Sequence, residues 1–185
     1  ELTLLADDAE LVSEWETRFG RTATPAPDYG DYGWEKAAPL LQAGGVDALI
    51  SAARAKEAPL HFGRADALLL AGKRLLANDP YGAERLNREL LDLARGASAF
   101  EQPGLAHASA ELAMVRCDVS LFGTSVALTI APDSPRYGFW RARVSGNTLD
   151  LLPAIRAHQE KDDTRFVRQV LDGYRAILEL GYCPG

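Results

Sequence analysis

Apolar residues recur every three or four positions through most of this chain, and this spacing constrains its fold more than any other feature. The most regular stripe lies near the C-terminus and consists of Phe166, Val167, Val170, Leu171, Tyr174, Ile177 and Leu178. Side chains at this spacing share one face of an α-helix, and Asp162 and Asp163 precede them as candidate caps. The pattern predicts an amphipathic helix that ends at Gly181.

Glycine and proline divide the rest of the sequence into further segments. A stripe from Leu4 to Phe19 predicts the first helix, and the proline- and glycine-rich segment Arg21–Gly33 is a predicted loop. Asp79-Pro80 is the clearest helix start, because aspartate caps free amides and proline fits the first turn. Further helices are predicted at Trp34–Ala43, Val46–Ala58, Ala65–Leu76, Pro80–Gly96 and Leu105–Val119.

The apolar period changes after Val119. Apolar residues alternate over Thr124–Ile130, and Trp140, Ala142 and Val144 alternate with arginines over Tyr137–Val144. Alternation of this kind predicts two β-strands. Ser145-Gly146-Asn147 is a turn cluster, after which Thr148–Leu152 is a third strand or the start of a helix that Pro153 interrupts; the strand is slightly favoured.

These elements predict an α+β fold. We expect a predominantly helical domain with a small antiparallel β-meander in its C-terminal third, and an all-α helical bundle or repeat is the alternative. A chain of 185 residues with 47% hydrophobic residues is of the size and composition of one globular domain. The sequence therefore predicts a single domain that spans residues 1–185.

The formal net charge of −6 bears on the class of partner. A negative charge disfavours binding to nucleic acid or to an anionic membrane and mildly favours a basic protein partner, although solubility alone explains the same charge. No apolar run approaches the roughly 20 residues that cross a bilayer. We therefore expect a soluble chain without nucleic-acid or membrane partners, and the sequence leaves its location and oligomeric state open.

Catalytic and cofactor motifs are absent from the sequence. The chain contains no P-loop, dinucleotide fingerprint, HExxH or nucleophile elbow. Cys117 and Cys183 form no metal-ligand spacing with each other or with His61, His107 and His158. We expect no metal and no cofactor. A disulfide between the two cysteines requires an oxidising compartment, and the sequence does not decide it.

Three aromatic residues, Tyr29, Tyr32 and Trp34, lie in or beside the predicted glycine-interrupted loop. Aromatic side chains offer rigid contact area at low entropic cost, so this segment is a candidate binding loop. The alternative is that these rings fold back as a lid on the helical core. The sequence leaves both interpretations open.

Trp140, Arg141 and Arg143 form the second candidate site. On a strand the two arginines would share a face, where their guanidinium groups suit a carboxylate or a phosphate. They would equally suit internal pairing with Asp133 or Asp150.

Two hypotheses about function follow. The first is a non-enzymatic protein-interaction domain, of the immunity, adaptor or accessory type, which uses an acidic helical surface and the aromatic loop. The alternative is a small enzyme or ligand-binding domain with a pocket between the Tyr29–Trp34 loop and the Arg141/Arg143 strand. A concave pocket with convergent polar groups would favour the second hypothesis.

Overall fold

The structure is a computed structural model that describes residues 32–56, 60, 63–151 and 164–184. It places these residues in helices joined by short turns, with a 3-10 turn at Thr148–Asp150. The helices are α1 (Tyr32–Ala55), α2 (Arg64–Leu75), α3 (Pro80–Gly96), α4 (Gln102–Arg116), α5 (Val119–Val126), α6 (Pro135–Ser145) and α7 (Thr164–Leu180). The described residues contain no strand, so the predicted α+β class is wrong and the all-α alternative is confirmed.

Several predicted helix boundaries are confirmed. The backbone N–H of Gly82 donates to Oδ1 of Asp79 at 2.8 Å, which satisfies an amide that the first turn of α3 leaves unpaired. Gly44 and Gly45 leave helical geometry inside α1, as the predicted break requires. Gly181 follows α7 with a positive φ of 67°, a conformation that glycine adopts without steric cost.

The start of α1 corrects one boundary of the predicted loop. Tyr32 and Gly33 belong to the helix rather than to the loop. A Cβ atom on Gly33 would lie 2.7 Å from the carbonyl carbon of Asp66, so α1 passes close to the backbone of α2 at this point. The predicted helix at Leu4–Phe19 and the position of Tyr29 lie outside the described residues.

The predicted strand at Thr124–Ile130 is wrong, because α5 continues to Val126 and turns follow it. Val126 lies four residues after Phe122, and both side chains are buried in the same apolar cluster. Ile130, the last member of the alternating set, is 87% exposed. Phe122 and Val126, at helical spacing, therefore form the buried face of this segment. The alternating residues Val126, Leu128 and Ile130 do not share one buried face.

The predicted strand at Tyr137–Val144 is also wrong, because these residues form most of α6. The helix is buried on two faces. Tyr137, Trp140 and Val144 pack in one apolar cluster, whereas Phe139 and Ala142 pack in another against α7. A helix that is buried on two faces has apolar residues at positions that resemble the alternation of a β-strand. In Thr148–Leu152 the described residues form the 3-10 turn and the helical residue Leu151 rather than a strand.

The helices pack around three apolar clusters. The largest is formed by α1 to α4, the second by α4, α5 and α6, and the third by α6, α7 and Leu151. Helix α4 contributes to the first two clusters and contacts α2, α3, α5 and α6. In the described part of the chain, no helix combines the length and the apolar character needed to cross a membrane.

Candidate functional site

A pocket of about 340 Å³ lies where α2, α4, α6 and α7 meet. Its walls combine charged, aromatic and aliphatic side chains from segments that are far apart in the sequence. The lining residues are Lys73, His107, Glu111, Met114, Val115, Arg136, Trp140, Asp172, Arg175, Ala176, Glu179 and Leu180. Polar groups thus converge on a concave site, which is the arrangement expected of a ligand pocket.

His107 stands on the α4 wall in contact with two aromatic rings of α6. Its ring stacks on Trp140 with centroids 5.5 Å apart, and its Nδ1 atom shares a 2.7 Å hydrogen bond with the Tyr137 hydroxyl. Burial lowers the pKa of His107, and this effect outweighs the opposing charge of Glu111. Burial likewise raises the pKa of Tyr137, so the phenol keeps its proton. At neutral pH the site therefore holds a neutral imidazole.

Two ion pairs cross between the walls of the pocket. Lys73 of α2 pairs with Glu111 of α4, and Nη2 of Arg136 on α6 donates to Oδ2 of Asp172 on α7 at 2.7 Å. Each pair links two different helices and leaves part of both side chains in contact with solvent. The charged groups are therefore held in place while they remain accessible to a bound molecule.

Trp140 carries the least satisfied polar group of the pocket. Its side chain is only 5% exposed, and its indole Nε1–H has no hydrogen-bond partner among the described residues. A buried donor without an acceptor costs free energy. Because this nitrogen has almost no accessible surface, a molecule in the pocket contacts the ring of Trp140 rather than its N–H group.

The structure separates the two arginines that were predicted to share a face. Because α6 is a helix, residues two apart point in different directions: Arg141 is exposed, whereas Arg143 is buried at 4% exposure. Nη1 of Arg143 donates to the carbonyl of Met114 at 2.9 Å and contacts the disulfide sulfurs of Cys117 and Cys183. Neither arginine lines the pocket, whereas Trp140 does.

The aromatic residues near the start of α1 lie away from the pocket lining. Trp34 packs against the largest apolar cluster, and the guanidinium of Arg74 stacks 4.1 Å from the centre of its ring. Tyr32 is 52% exposed, with the Lys36 ammonium 4.0 Å from its ring centre. Trp34 thus covers the core as the lid alternative predicts, while Tyr32 presents its ring to solvent.

Sequence reasoning missed most of this site. Glu111 and Asp172 were not singled out, and His107 was considered only as a metal ligand, because these residues lie on two different helices and form no local motif. The one available signal was the pair His107 and Glu111, which stand four residues apart in the otherwise alanine-rich α4 and so share a helix face.

Neither a metal site nor a related protein identifies the chemistry of the pocket. Among the residues that the structure describes, no group of three or more His, Cys, Asp or Glu side chains is arranged to hold a metal ion. Comparison with protein-family models, with curated protein sequences and with solved structures finds no match for this chain.

Proposed function

We propose that this chain binds a small amphoteric molecule of the free amino-acid class in the pocket between α2, α4, α6 and α7. The observation that carries the proposal is the convergence of basic and acidic side chains from four helices on this pocket. The carboxylate of the ligand pairs with the basic side chains, and its ammonium group pairs with the acidic ones. Hydrogen bonds between charged groups are stronger than neutral ones, so a ligand that carries both charges gains most from this lining.

The charges of the lining favour a ligand that carries both signs. The basic side chains are Lys73, Arg136 and Arg175, and the acidic ones are Glu111, Asp172 and Glu179. Their formal charges cancel, and His107 adds none at neutral pH because its pKa is lowered. A ligand with one ammonium and one carboxylate group finds a partner for each, whereas a ligand of a single sign would face like charges as well.

The volume of the pocket agrees with this size class. At about 340 Å³ it lies at the small end of ligand pockets, which span roughly 300 to 1,000 Å³. Met114, Val115, Ala176 and Leu180 supply apolar contact area beside the charged groups. This combination suits a molecule with a charged head and a small apolar or polar side chain.

A nuclear magnetic resonance titration tests the proposal directly. The protein labelled with ¹⁵N gives one indole Nε1–H signal for each of its three tryptophans, and Trp140→Phe assigns the signal of Trp140. The probes are the twenty free L-amino acids, with acetate and ethylammonium as controls that carry one charge each. We expect at least one amino acid to shift the Trp140 signal saturably, and to do so at lower concentration than either control.

Arg141→Ala is the matched control variant, because Arg141 is exposed on the same helix and does not line the pocket. It should bind like the wild type, with an unchanged melting temperature. If no amino acid shifts the Trp140 signal at concentrations up to about 10 mM, which corresponds to a binding free energy weaker than about −3 kcal/mol, the proposal is wrong.

The protein-interaction hypothesis remains a prediction. Its support is the net charge of the sequence together with the exposed ring of Tyr32. The packing of Trp34 against the core removes much of that ring from the surface on which a partner would dock.

A further inference from the structure

The disulfide between Cys117 and Cys183 joins the C-terminal end of α4 to the tail that follows α7. Cys117 directly follows the last residue of α4, and Cys183 lies three residues beyond Leu180. The backbone N–H of Cys183 also donates to the carbonyl oxygen of Arg143 at 2.9 Å. Cys183 is therefore held by one covalent bond and one hydrogen bond, and both lie beside Arg143.

Arg143 is a buried cation without an anionic partner in the described part of the chain. Its guanidinium forms no ion pair there, its Nε atom has no hydrogen-bond partner, and its Nη1 atom contacts a carbonyl oxygen and two sulfur atoms. Burying a charge in this way is unfavourable unless an opposite charge compensates it. A disulfide is neutral and supplies no such charge.

Reduction of the disulfide would supply that charge. A thiolate at Cys183 would lie in contact with Nη1 of Arg143 and would pair with it in a buried site, where the attraction between charges is strongest. Stabilising the reduced form of a cysteine pair makes its disulfide easier to reduce, and a neighbouring arginine favours the thiolate over the thiol.

We propose that Cys117–Cys183 is a redox-active disulfide whose reduction by a dithiol produces a Cys183 thiolate that pairs with Arg143. The thiolate of the dithiol attacks Sγ of Cys117, which is the more exposed of the two cysteines, and Cys183 leaves as a thiolate. The second thiol then closes the reductant's own disulfide and releases Cys117. The dithiol loses two electrons and two protons; Cys117 ends as a thiol, Cys183 as a thiolate, and one proton passes to solvent.

The first test measures the redox equilibrium of the cysteine pair. The protein is equilibrated in buffers of reduced and oxidised dithiothreitol and quenched with N-ethylmaleimide, and intact mass gives the reduced fraction. Half reduction of Arg143→Met should require a ratio of reduced to oxidised dithiothreitol about tenfold higher than half reduction of the wild type. A rise of about one unit in the pKa of the Cys183 thiol would produce this change. Arg143→Lys keeps the charge and should stay closer to the wild type. Arg141→Met removes the exposed neighbouring charge and should have no effect.

The second test needs no variant. The reduced wild-type protein is alkylated with iodoacetamide across a pH series, in buffer and in urea, with circular dichroism as the check on folding. Peptide mapping identifies the fast site. Cys183 should react in the folded protein at a midpoint at least about one pH unit below that of the urea-unfolded chain.

Equal midpoints in buffer and urea would overturn the proposal, as would equal redox equilibria for the wild type and a folded Arg143→Met variant. A reduced wild-type protein that loses its helical circular dichroism signal would overturn it too, because the thiolate and Arg143 can pair only in the folded chain.

Discussion

Nδ1 of His107 on α4 and the hydroxyl oxygen of Tyr137 on α6 lie 2.7 Å apart, and this hydrogen bond connects two walls of the pocket. It occupies one imidazole nitrogen and leaves Nε2 facing Glu111 at 3.7 Å. The bond also fixes the ring that stacks on Trp140. The histidine ring is therefore held between the Tyr137 hydroxyl and the Trp140 ring.

The lowered pKa of His107 predicts a pH dependence of stability. The unfolded chain carries a histidine of ordinary pKa, about 6.5, whereas the folded pKa is lower, chiefly through burial. Between the two values the unfolded state binds more protons, so the free energy of unfolding should fall as the pH drops below about 6.5. His107→Gln does not titrate and should lose less stability over that range.

Urea denaturation at pH 7 and pH 5 measures this difference. The comparison with His107→Gln removes the contributions of the other two histidines, because both proteins contain them. Identical pH dependence in the two proteins would show that protonation of His107 does not oppose folding.

Trp34 and Tyr32 should differ in their contribution to stability. Trp34→Ala removes a ring that packs on the largest cluster and stacks on Arg74, so we expect a loss of about 1 to 3 kcal/mol. Tyr32→Ala removes a ring that is half exposed and should change stability by less than about 0.5 kcal/mol. Chemical denaturation of both variants measures these changes in the free energy of unfolding, and equal losses would mean that Trp34 is not part of the core.

The close approach of α6 and α7 predicts a cost for Gly173→Ala. The added Cβ atom would lie 2.6 Å from Cβ of Phe139, so α7 must shift, and overpacking of this kind costs about 1 to 3 kcal/mol. Gly104→Ala in α4 is the matched control, because a Cβ atom there meets nothing within 4 Å. That control should be neutral or stabilising by up to about 1 kcal/mol in thermal unfolding. Equal effects of the two substitutions would contradict the close packing of α6 on α7.

The disulfide should contribute strongly to the stability of the oxidised protein. It closes a loop of 66 residues, and the loss of chain entropy in the unfolded state predicts about 4 kcal/mol of stabilisation. The double variant Cys117→Ser/Cys183→Ser should unfold at correspondingly lower denaturant concentration than the oxidised wild type. A midpoint equal to that of the wild type would mean that the bridge does not constrain the unfolded chain.

Capping and turn residues correctly predicted the helix boundaries that depend on one or two residues. Asp79 and Pro80 begin α3, and Gly44-Gly45 break α1, because these effects act within one turn of the helix. The prediction failed over α5 and α6. There, the burial of α5 in the cluster with α4 and α6, and the burial of α6 against both α4 and α7, decide the structure. The local pattern does not contain these neighbouring helices.

The candidate site was less predictable than the fold. Trp140 was singled out from the sequence, but through a strand that does not exist, and the arginines beside it point elsewhere. His107 and Asp172 meet only because α4 and α7 both approach α6. A site of this kind is assembled by tertiary packing, so the sequence carries no local signature for it.

The affinity of the pocket for an amino acid tests the central claim most directly. The measurement is isothermal titration calorimetry of the wild type, Arg136→Gln and Arg141→Ala with the amino acid that binds tightest in the nuclear magnetic resonance titration. Arg136→Gln removes a cation from the pocket lining and should raise the dissociation constant about tenfold or more, whereas Arg141→Ala should leave it unchanged. Binding by a folded Arg136→Gln variant with the affinity of the wild type would contradict the account.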